Sequence, residues 1–252
     1  MISIIGHGYV GKGMQRIFPD AAIYDILTQP DYTVLFGSSL VLICVPTPMA
    51  DDGSCDTSAV LDAISIARHV APDALICIKS AVPIGFTEKH QCGNLHVSPE
   101  YMGEGKNYVP PWDYPDPLNA LSHDFVIVGG PRAVEVLEYF QARMATTAKY
   151  YACTAKEAEA VKRFENAFFA TKVALVNEFF DICEANNIEW LRVRELWLAD
   201  SRVGRSHTAV FRSRRGFGGK CLPKDLNALI NEANGADVSL LRAVKDRNDK
   251  WQ

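Results

Sequence analysis

The sequence predicts an α/β protein, a parallel sheet in the first part followed by one long helix and a helical region. Three observations carry this. Short apolar runs alternate with helical stretches through the first 150 residues, the pattern of a parallel sheet covered on both faces. A glycine turn, Gly6-His7-Gly8-Tyr9-Val10-Gly11, follows the first run directly. After Thr154 the strand signals stop and helical periodicity takes over.

The elements are read in order. Ile2 to Ile5 is a buried-strand pattern, and a helix runs from the glycine turn to about Phe18. Ala22 to Tyr24 is a second strand that ends in Asp25. Leu40 to Val45 is wholly apolar and is stopped by Pro46-Thr47-Pro48. Asp56 to His69 reads as a helix, Ala74 to Ile78, Leu95 to Val97 and Phe125 to Val128 as strands, with a helix after Pro131. Thr154-Ala155-Lys156-Glu157 is a capping box, and the helix it opens continues to about Ala185. Val161, Phe164, Phe168, Ala174 and Leu175 recur along it at helical spacing. Roughly 30 residues make a rod of about 45 Å, a length that bridges domains or packs against a second subunit. A further helix spans about Leu191 to Ala199, a glycine loop covers Gly216 to Gly219, and a last helix starts near Lys224. The expected domains are 1–150 and 151–252.

Composition narrows the class. Of 252 residues 48% are hydrophobic and 22% charged, enough for a core and too little charge for a disordered chain. The net charge is -4 and the densest basic run is only Arg212 to Arg215, so no nucleic-acid face is expected. No apolar run reaches the ~18 residues of a membrane span. The opening strand leaves no room for a signal peptide. Seven cysteines without Cys-x-x-Cys spacing argue against a disulfide framework or a structural zinc site. No metal site is expected, and reduced thiols fit a cytoplasmic protein.

The glycine turn has the context of a dinucleotide fingerprint, and the first domain is therefore read as Rossmann-like. Gly6 serves the tight turn, Gly8 the approach of a pyrophosphate, and Gly11 close helix–strand packing. The phosphates would lie at the helix N-terminus, where unpaired N–H groups favour an anion. Asp25, 14 positions after Gly11, would accept the adenosine ribose hydroxyls and repel a 2′-phosphate. NAD is the expected cofactor. His7 reads as a solvent-side turn residue.

The second half carries reactive groups. Cys221 lies in Gly216-Phe217-Gly218-Gly219-Lys220-Cys221-Leu222-Pro223-Lys224-Asp225. Glycines allow the backbone to fold around a ligand, and Lys220, Lys224 and a following helix start each favour a thiolate. Cys44, Cys77 and Cys183 sit in apolar runs and read as structural. Lys162 and Asn166 are four apart, on one helix face. Glu100 and Glu104 lie in a segment after a strand end, the ligand-facing edge of a parallel sheet, and two carboxylates there suit acid–base work.

These motifs together resemble the UDP-glucose/GDP-mannose dehydrogenase family of nucleotide-sugar dehydrogenases. The matches run in order: GxGYVG at Gly6; VPTP at Val45 with Asp52-Gly53-Ser54; SxVPxG at Ser80; SPEYxxEG at Ser98; KxxxN at Lys162 leading to Asn177-Glu178; Arg202-Val203-Gly204; and GFGGxCxPKD from Gly216. The last is highly specific. The resemblance implies oxidation of a sugar C6 alcohol to a carboxylate in two hydride transfers to NAD⁺. Cys221 would attack the intermediate aldehyde, giving a thiohemiacetal and then a thioester that water hydrolyses. Lys162 would stabilise the oxyanion with Asn166 as its companion. Asp225 and Glu104 would position or activate water, and Glu100 would be the base for hydrolysis. The cofactor site would comprise Gly6, Gly8, Tyr9, Val10, Gly11 and Asp25, joined by Pro46, Thr47 and Ser80. The substrate would meet Tyr101, Met102, Gly103, Arg215, Phe217, Gly218, Lys220 and Lys224. Arg202 would reach across a homodimer built on the long helix.

Three departures stand out. Ala81 occupies the place of the family threonine that helps hold the catalytic water, and Ser80 compensates only by pointing inward. The chain ends about where the family's connecting helix leads into a second Rossmann-like domain, so the expectation is a short form without the UDP-binding domain. The stretch from Asp25 to Leu40 is short, and the loop from Arg202 to Cys221, with His207, Arg212 and Arg214, is long. UDP-glucose is the expected substrate, with GDP-mannose or a UDP-N-acetylhexosamine as alternatives. A simpler dehydrogenase of the 3-hydroxyacid or 6-phosphogluconate kind would need no cysteine. A catalytically impaired NAD-binding homologue is the rival from another class.

Overall fold

In the computed structural model, which describes residues 1–103, 116 and 119–252, the apolar runs of the first half pair into one seven-stranded sheet. Its strands are β1 (Ile2–Ile5), β2 (Ala22–Tyr24), β3 (Leu40–Ile43), β4 (Leu75–Ile78), β5 (Leu95–Val97), β6 (Phe125–Gly129) and β7 (Lys149–Cys153), ordered β2-β1-β3-β4-β5-β6-β7. Neighbours are parallel except β5 and β6, which meet antiparallel through Val97 and Gly129. The fully parallel sheet expected from the alternation is corrected at that pair, because an apolar run has no direction written into it. β7 was not anticipated. It is an edge strand whose Lys149, Tyr151 and Ala152 are exposed, so its sequence lacks the apolar run of a central strand.

β3 and β4 are buried along their whole length, and successive side chains go to opposite faces. Val41, Ile43, Ile76 and Ile78 pack with Val60 and Ile64 of α2 (Ser58–Val70). Leu40, Leu42, Leu75 and Cys77 pack with Met14 and Ile17 of α1 (Tyr9–Ile17) and Val136 and Phe140 of α4 (Ala133–Gln141). A short helix, α3 (Phe86–Lys89), follows β4. The short stretch after Asp25 holds a single 3-10 turn over Tyr32–Leu35, capped by Asp31, and Leu35 plugs the core with no exposed surface. The carboxyl ends of β1, β3, β4 and β5, adjacent and parallel, lead into the glycine, VPTP, SAVP and SPEY segments.

The second half is helical: α5 (Ala155–Ala185), α6 (Trp190–Trp197), α7 (Leu222–Asn231) and α8 (Ser239–Asp249). The capping box forms as read, with Thr154 N–H donating to Glu157 Oε2 at 2.8 Å and Glu157 N–H to Thr154 Oγ1 at 3.3 Å. The single last helix expected from Lys224 is two helices, parted where Asn234 and Gly235 take positive φ of 48° and 88°. The described residues form two compact units that divide inside α5, one up to Lys162 and one from Arg163 onward. In the second, Val176, Phe180 and Cys183 of α5 pack on Trp190 of α6. α5 buries polar side chains among its apolar ones and leaves a second apolar stripe outside. Glu159, Arg163, Asn166 and Asn177 are buried, while Val161, Phe164, Phe168, Leu175 and Ile182 are exposed, Phe168 by 62%.

Candidate active site

The first unit builds a turn suited to a dinucleotide. Gly6 has φ 89°, and a Cβ there would lie 2.7 Å from Cys44 O. Gly11 lets α1 sit against the turn, since a Cβ would lie 2.0 Å from Gly6 O. At Gly8 nothing lies within 4 Å of that position, so the start of α1 is open to a phosphate. Val10 follows on the first turn of α1, half-buried. Asp25 Oδ2 accepts His7 N–H at 2.8 Å, and Oδ1 accepts Leu27 N–H, Thr28 N–H and Thr28 Oγ1 at 3.1, 3.0 and 3.0 Å. The His7 N–H leads the bonds that hold this carboxyl below its usual range. Oδ2 keeps acceptor capacity for a ribose hydroxyl. His7 itself bonds Gln15 through Nε2 at 2.8 Å. The residues present fit NAD at this end.

The neighbouring strand ends are tied to each other. Ser80 points inward: its Oγ donates to Val45 O at 2.6 Å, fastening the end of β4 to the Val45-Pro46-Thr47 segment. That spends its only proton on backbone, so Ser80 does not replace the hydroxyl absent from Ala81. Glu100 Oε1 accepts Tyr101 N–H and Met102 N–H, each at 2.8 Å, while Oε2 lies 3.8 Å from Lys79 Nζ. Lys79 is buried and also donates to Ser98 Oγ at 3.1 Å. Tyr9 OH donates to Gly103 O, and Met102 packs where Gly13 of α1 leaves room. Tyr101 places its ring 4.9 Å from Lys162 Nζ. Three positions before that lysine, buried Glu159 accepts Gly85 N–H at 2.6 Å and Thr87 N–H at 2.8 Å. Burial nonetheless raises the Glu159 carboxyl. Lys79 and Glu159 therefore hold the segments that carry Glu100 and Lys162.

In the second unit Cys221 is exposed and forms the N-cap of α7. Gly218, Gly219 and Lys220 before it are exposed as well, with Gly219 at φ 79°. Phe217 is buried, held by Asn248 of α8. Asp225, 2% exposed, gathers three donors: Arg163 Nη1, Lys224 Nζ at 2.6 Å and Asn166 Nδ2 at 2.5 Å. Burial alone would raise this carboxyl, yet the charges of Lys224 and Arg163 outweigh it and hold it below the usual range. Asp225 is thus an anionic anchor for a lysine and an amide rather than a ready base.

Two models of one family match the chain: the NAD binding domain of the UDP-glucose/GDP-mannose dehydrogenase family over residues 25–108, and its central domain over 156–250. The chain belongs to the UDP-glucose/GDP-mannose dehydrogenase family. A UDP-glucose 6-dehydrogenase of Rickettsia felis is 33% identical over 228 residues, covering 85% of this chain and 48% of its own length. A UDP-D-ManNAc dehydrogenase structure from Pyrococcus horikoshii is 26% identical with a TM-score of 0.82, over 99% of this chain and 68% of that one. A UDP-glucose dehydrogenase from Pyrobaculum islandicum, at 24% identity and TM-score 0.82 over 99% of this chain and 68% of that one, shares the fold. The chain spans about half the length of the curated relatives it matches.

For a member of this family, several placements bear on the expected roles. NAD is the cofactor of the matched N-terminal domain. Glu104 lies outside the described residues. Arg202 is 89% exposed and makes a two-pronged pair with Asp200. Arg215 is turned into α5 instead of toward the glycine loop's outer side: it donates to Asn177 Oδ1 and O and to Asp181, at 2.7, 2.8 and 2.7 Å. It anchors the loop to α5 through Nε and Nη2. His207 stacks on Phe169 at 4.0 Å, and Lys172 donates to Val203 O and Gly204 O at 3.0 and 2.8 Å. Sequence reasoning missed Lys79, Glu159, Arg163 and Asn248. The signal for Glu159 and Arg163 was their helical spacing with Asn166, a polar stripe opposite the apolar one. Among the described residues no group of three or more His, Cys, Asp or Glu could hold a metal, and no helix is long and apolar enough to cross a membrane.

Proposed function

We propose that this chain carries out NAD-dependent, four-electron oxidation of a nucleotide sugar at C6, alcohol to carboxylate, with UDP-glucose as the substrate. The observation that carries the reading is an exposed Cys221 at the N-cap of α7, four residues before an Asp225 that holds both Asn166 and Lys224. NAD⁺, when bound, takes up one hydride from each oxidation. The alcohol loses its proton and a hydride to become the aldehyde. The Cys221 thiolate adds to the aldehyde carbon, and protonation of the oxygen gives a thiohemiacetal. Loss of a second hydride and a proton gives the thioester, which water cleaves to carboxylate and free thiol. Lys162, a cation beside Tyr101, suits the developing oxyanion, and Glu100 or Glu104 suits proton transfer to and from water. The relatives' names support the nucleotide-sugar class. Seven free cysteines suit a reducing, cytoplasmic setting.

The exposed stripe Val161, Phe164, Phe168, Leu175 and Ile182 supports a homodimer along α5. In that dimer Arg202 would serve the partner's substrate. A second reading, an impaired NAD-binding homologue, is favoured by Ala81 together with the committed Ser80 hydroxyl.

The test is to mix the purified chain with NAD⁺ and UDP-glucose and count NADH per sugar, alongside Cys221→Ser. Two NADH per sugar, stalled in the variant, is expected. NAD⁺ binding without NADH overturns UDP-glucose as substrate. GDP-mannose and a UDP-N-acetylhexosamine are then tried, and silence with all of them favours the second reading.

A further inference from the structure

Arg163 is the largest of the fully buried side chains among the described residues, 1% exposed, and it directly follows Lys162 on α5. A guanidinium removed from water has to be matched by negative charge. Here Nη1 donates to Asp225 Oδ1, and Nη2 lies 3.4 Å from Glu232 Oε1. The other partners of Asp225 are Lys224, on Oδ1 at 2.6 Å, and Asn166, whose Nδ2 donates to Oδ2 at 2.5 Å. Because that amide spends a hydrogen on Asp225, Asn166 keeps Oδ1 as an acceptor. Asp225 thus meets a guanidinium from α5 and an ammonium from α7, with Glu232 beyond Arg163.

We infer that Arg163 is a positioning residue for the proposed oxidation: tied to Glu232 on one side, it holds Oδ1 of the Asp225 carboxylate, which in turn holds the Asn166 amide and the Lys224 ammonium beside the cysteine loop. The role rests on the proposed function. A planar, always-charged guanidinium reaches Asp225 with Nη1 and Glu232 with Nη2 at once, a spacing that a point charge does not hold. With Arg163 gone, Asp225 keeps Lys224 but loses the guanidinium on Oδ1. One positive charge is lost beside Asp225, and that loss opposes both a thiolate and an oxyanion. Asp225 is then easier to protonate.

The test compares wild type, Arg163→Met and Arg163→Lys on the nucleotide sugar that wild type turns over. For Arg163→Met, kcat is expected to fall at least tenfold with KM little changed, and the acid limb of the kcat–pH profile to move to higher pH. Arg163→Lys is expected to return the acid limb toward wild type while kcat stays low. A folded Arg163→Met with wild-type kcat and pH profile overturns the inference, even if its Tm falls. If Arg163→Met does not fold, Arg163→Lys and the guanidinium ¹⁵N spectrum of the wild type decide. Separate, slowly exchanging Nη signals that merge in Asp225→Asn are expected, and a single averaged signal in the wild type overturns the inference. A wild type with no turnover on any nucleotide sugar overturns the function, and the role with it. The guanidinium signal then reports on the ion pair alone.

Discussion

Asn248 on α8 and Phe217 in the glycine loop exchange two hydrogen bonds, Phe217 N–H to Asn248 Oδ1 at 2.7 Å and Asn248 Nδ2 to Phe217 O at 3.0 Å. The side-chain amide stands where a neighbouring strand would stand, and both residues are buried. Gly216 is required beside it, since a Cβ there would lie 2.3 Å from Asn248 Oδ1. Asn248→Ala leaves a buried N–H and a buried C=O unmet, about 1–3 kcal/mol for each group. A lower Tm and a fall in kcat/KM for the nucleotide sugar are expected, with NAD⁺ affinity unchanged. Calorimetry and steady-state kinetics check this, and an unchanged kcat/KM would refute the clamp.

Restoring a hydroxyl at position 81 is expected to help. Ser80 is committed to Val45 O, so Ala81→Thr supplies a donor that the segment lacks. One hydrogen bond to a charged transition state contributes about 1.5–3 kcal/mol, roughly ten- to a hundredfold in rate. Single-turnover measurement of thioester hydrolysis reads it directly. No acceleration in a folded variant would show that water is placed by other groups.

Acid should weaken the second unit through Asp225. Its carboxyl is held below the usual range by Lys224 and Arg163 against the effect of burial. A carboxyl depressed in the folded state stabilises at pH above its unfolded value, about 3.9, and that stabilisation is lost as pH falls through the folded value. Wild-type Tm is expected to drop on acidification below about pH 4. Asp225→Asn should lack that part of the drop and be less stable at neutral pH by about 3–5 kcal/mol, because Arg163 is left buried without its main counter-charge. Thermal melts from pH 3 to 8 on both proteins distinguish the two behaviours.

Phe168→Glu is expected to yield a monomer. Phe168 is 62% exposed within a stripe that also includes Phe164 and Ile182 at 58% and 57%, and a charge at its centre opposes burial against a second copy. Sedimentation velocity on wild type and variant measures it. A monomeric wild type would remove the dimer from the proposal.

Much of this protein is legible in its sequence. The wholly apolar runs at Leu40 and Ala74, short and bounded by turn residues, read as strands buried on both faces, and the glycine turn between β1 and a helix reads as a close approach of backbone to backbone or to a phosphate. The cysteine loop announced itself by composition. The α5 stripe was legible too, but its meaning was not: the periodicity of Val161, Phe164 and Phe168 locates a face without saying whether the chain's own core covers it. The structure buries the opposite face, where Ala158, Ala167 and Ala170 lie among polar groups, Glu159 bonds backbone N–H groups and Arg163 meets Asp225.

Local sequence determined what depends on near neighbours: strand and helix periods, the Thr154 capping box, the glycine positions, and the exposed cysteine at a helix start. Tertiary structure decided what depends on partners distant in sequence. It set the antiparallel pairing of β5 with β6, turned Arg215 into α5, bound the Ser80 hydroxyl to Val45, and surrounded Asp225 with Arg163, Asn166 and Lys224. A side chain's charge and length are written in the sequence, but the group that satisfies it once water is removed is chosen only by the packing of the folded chain.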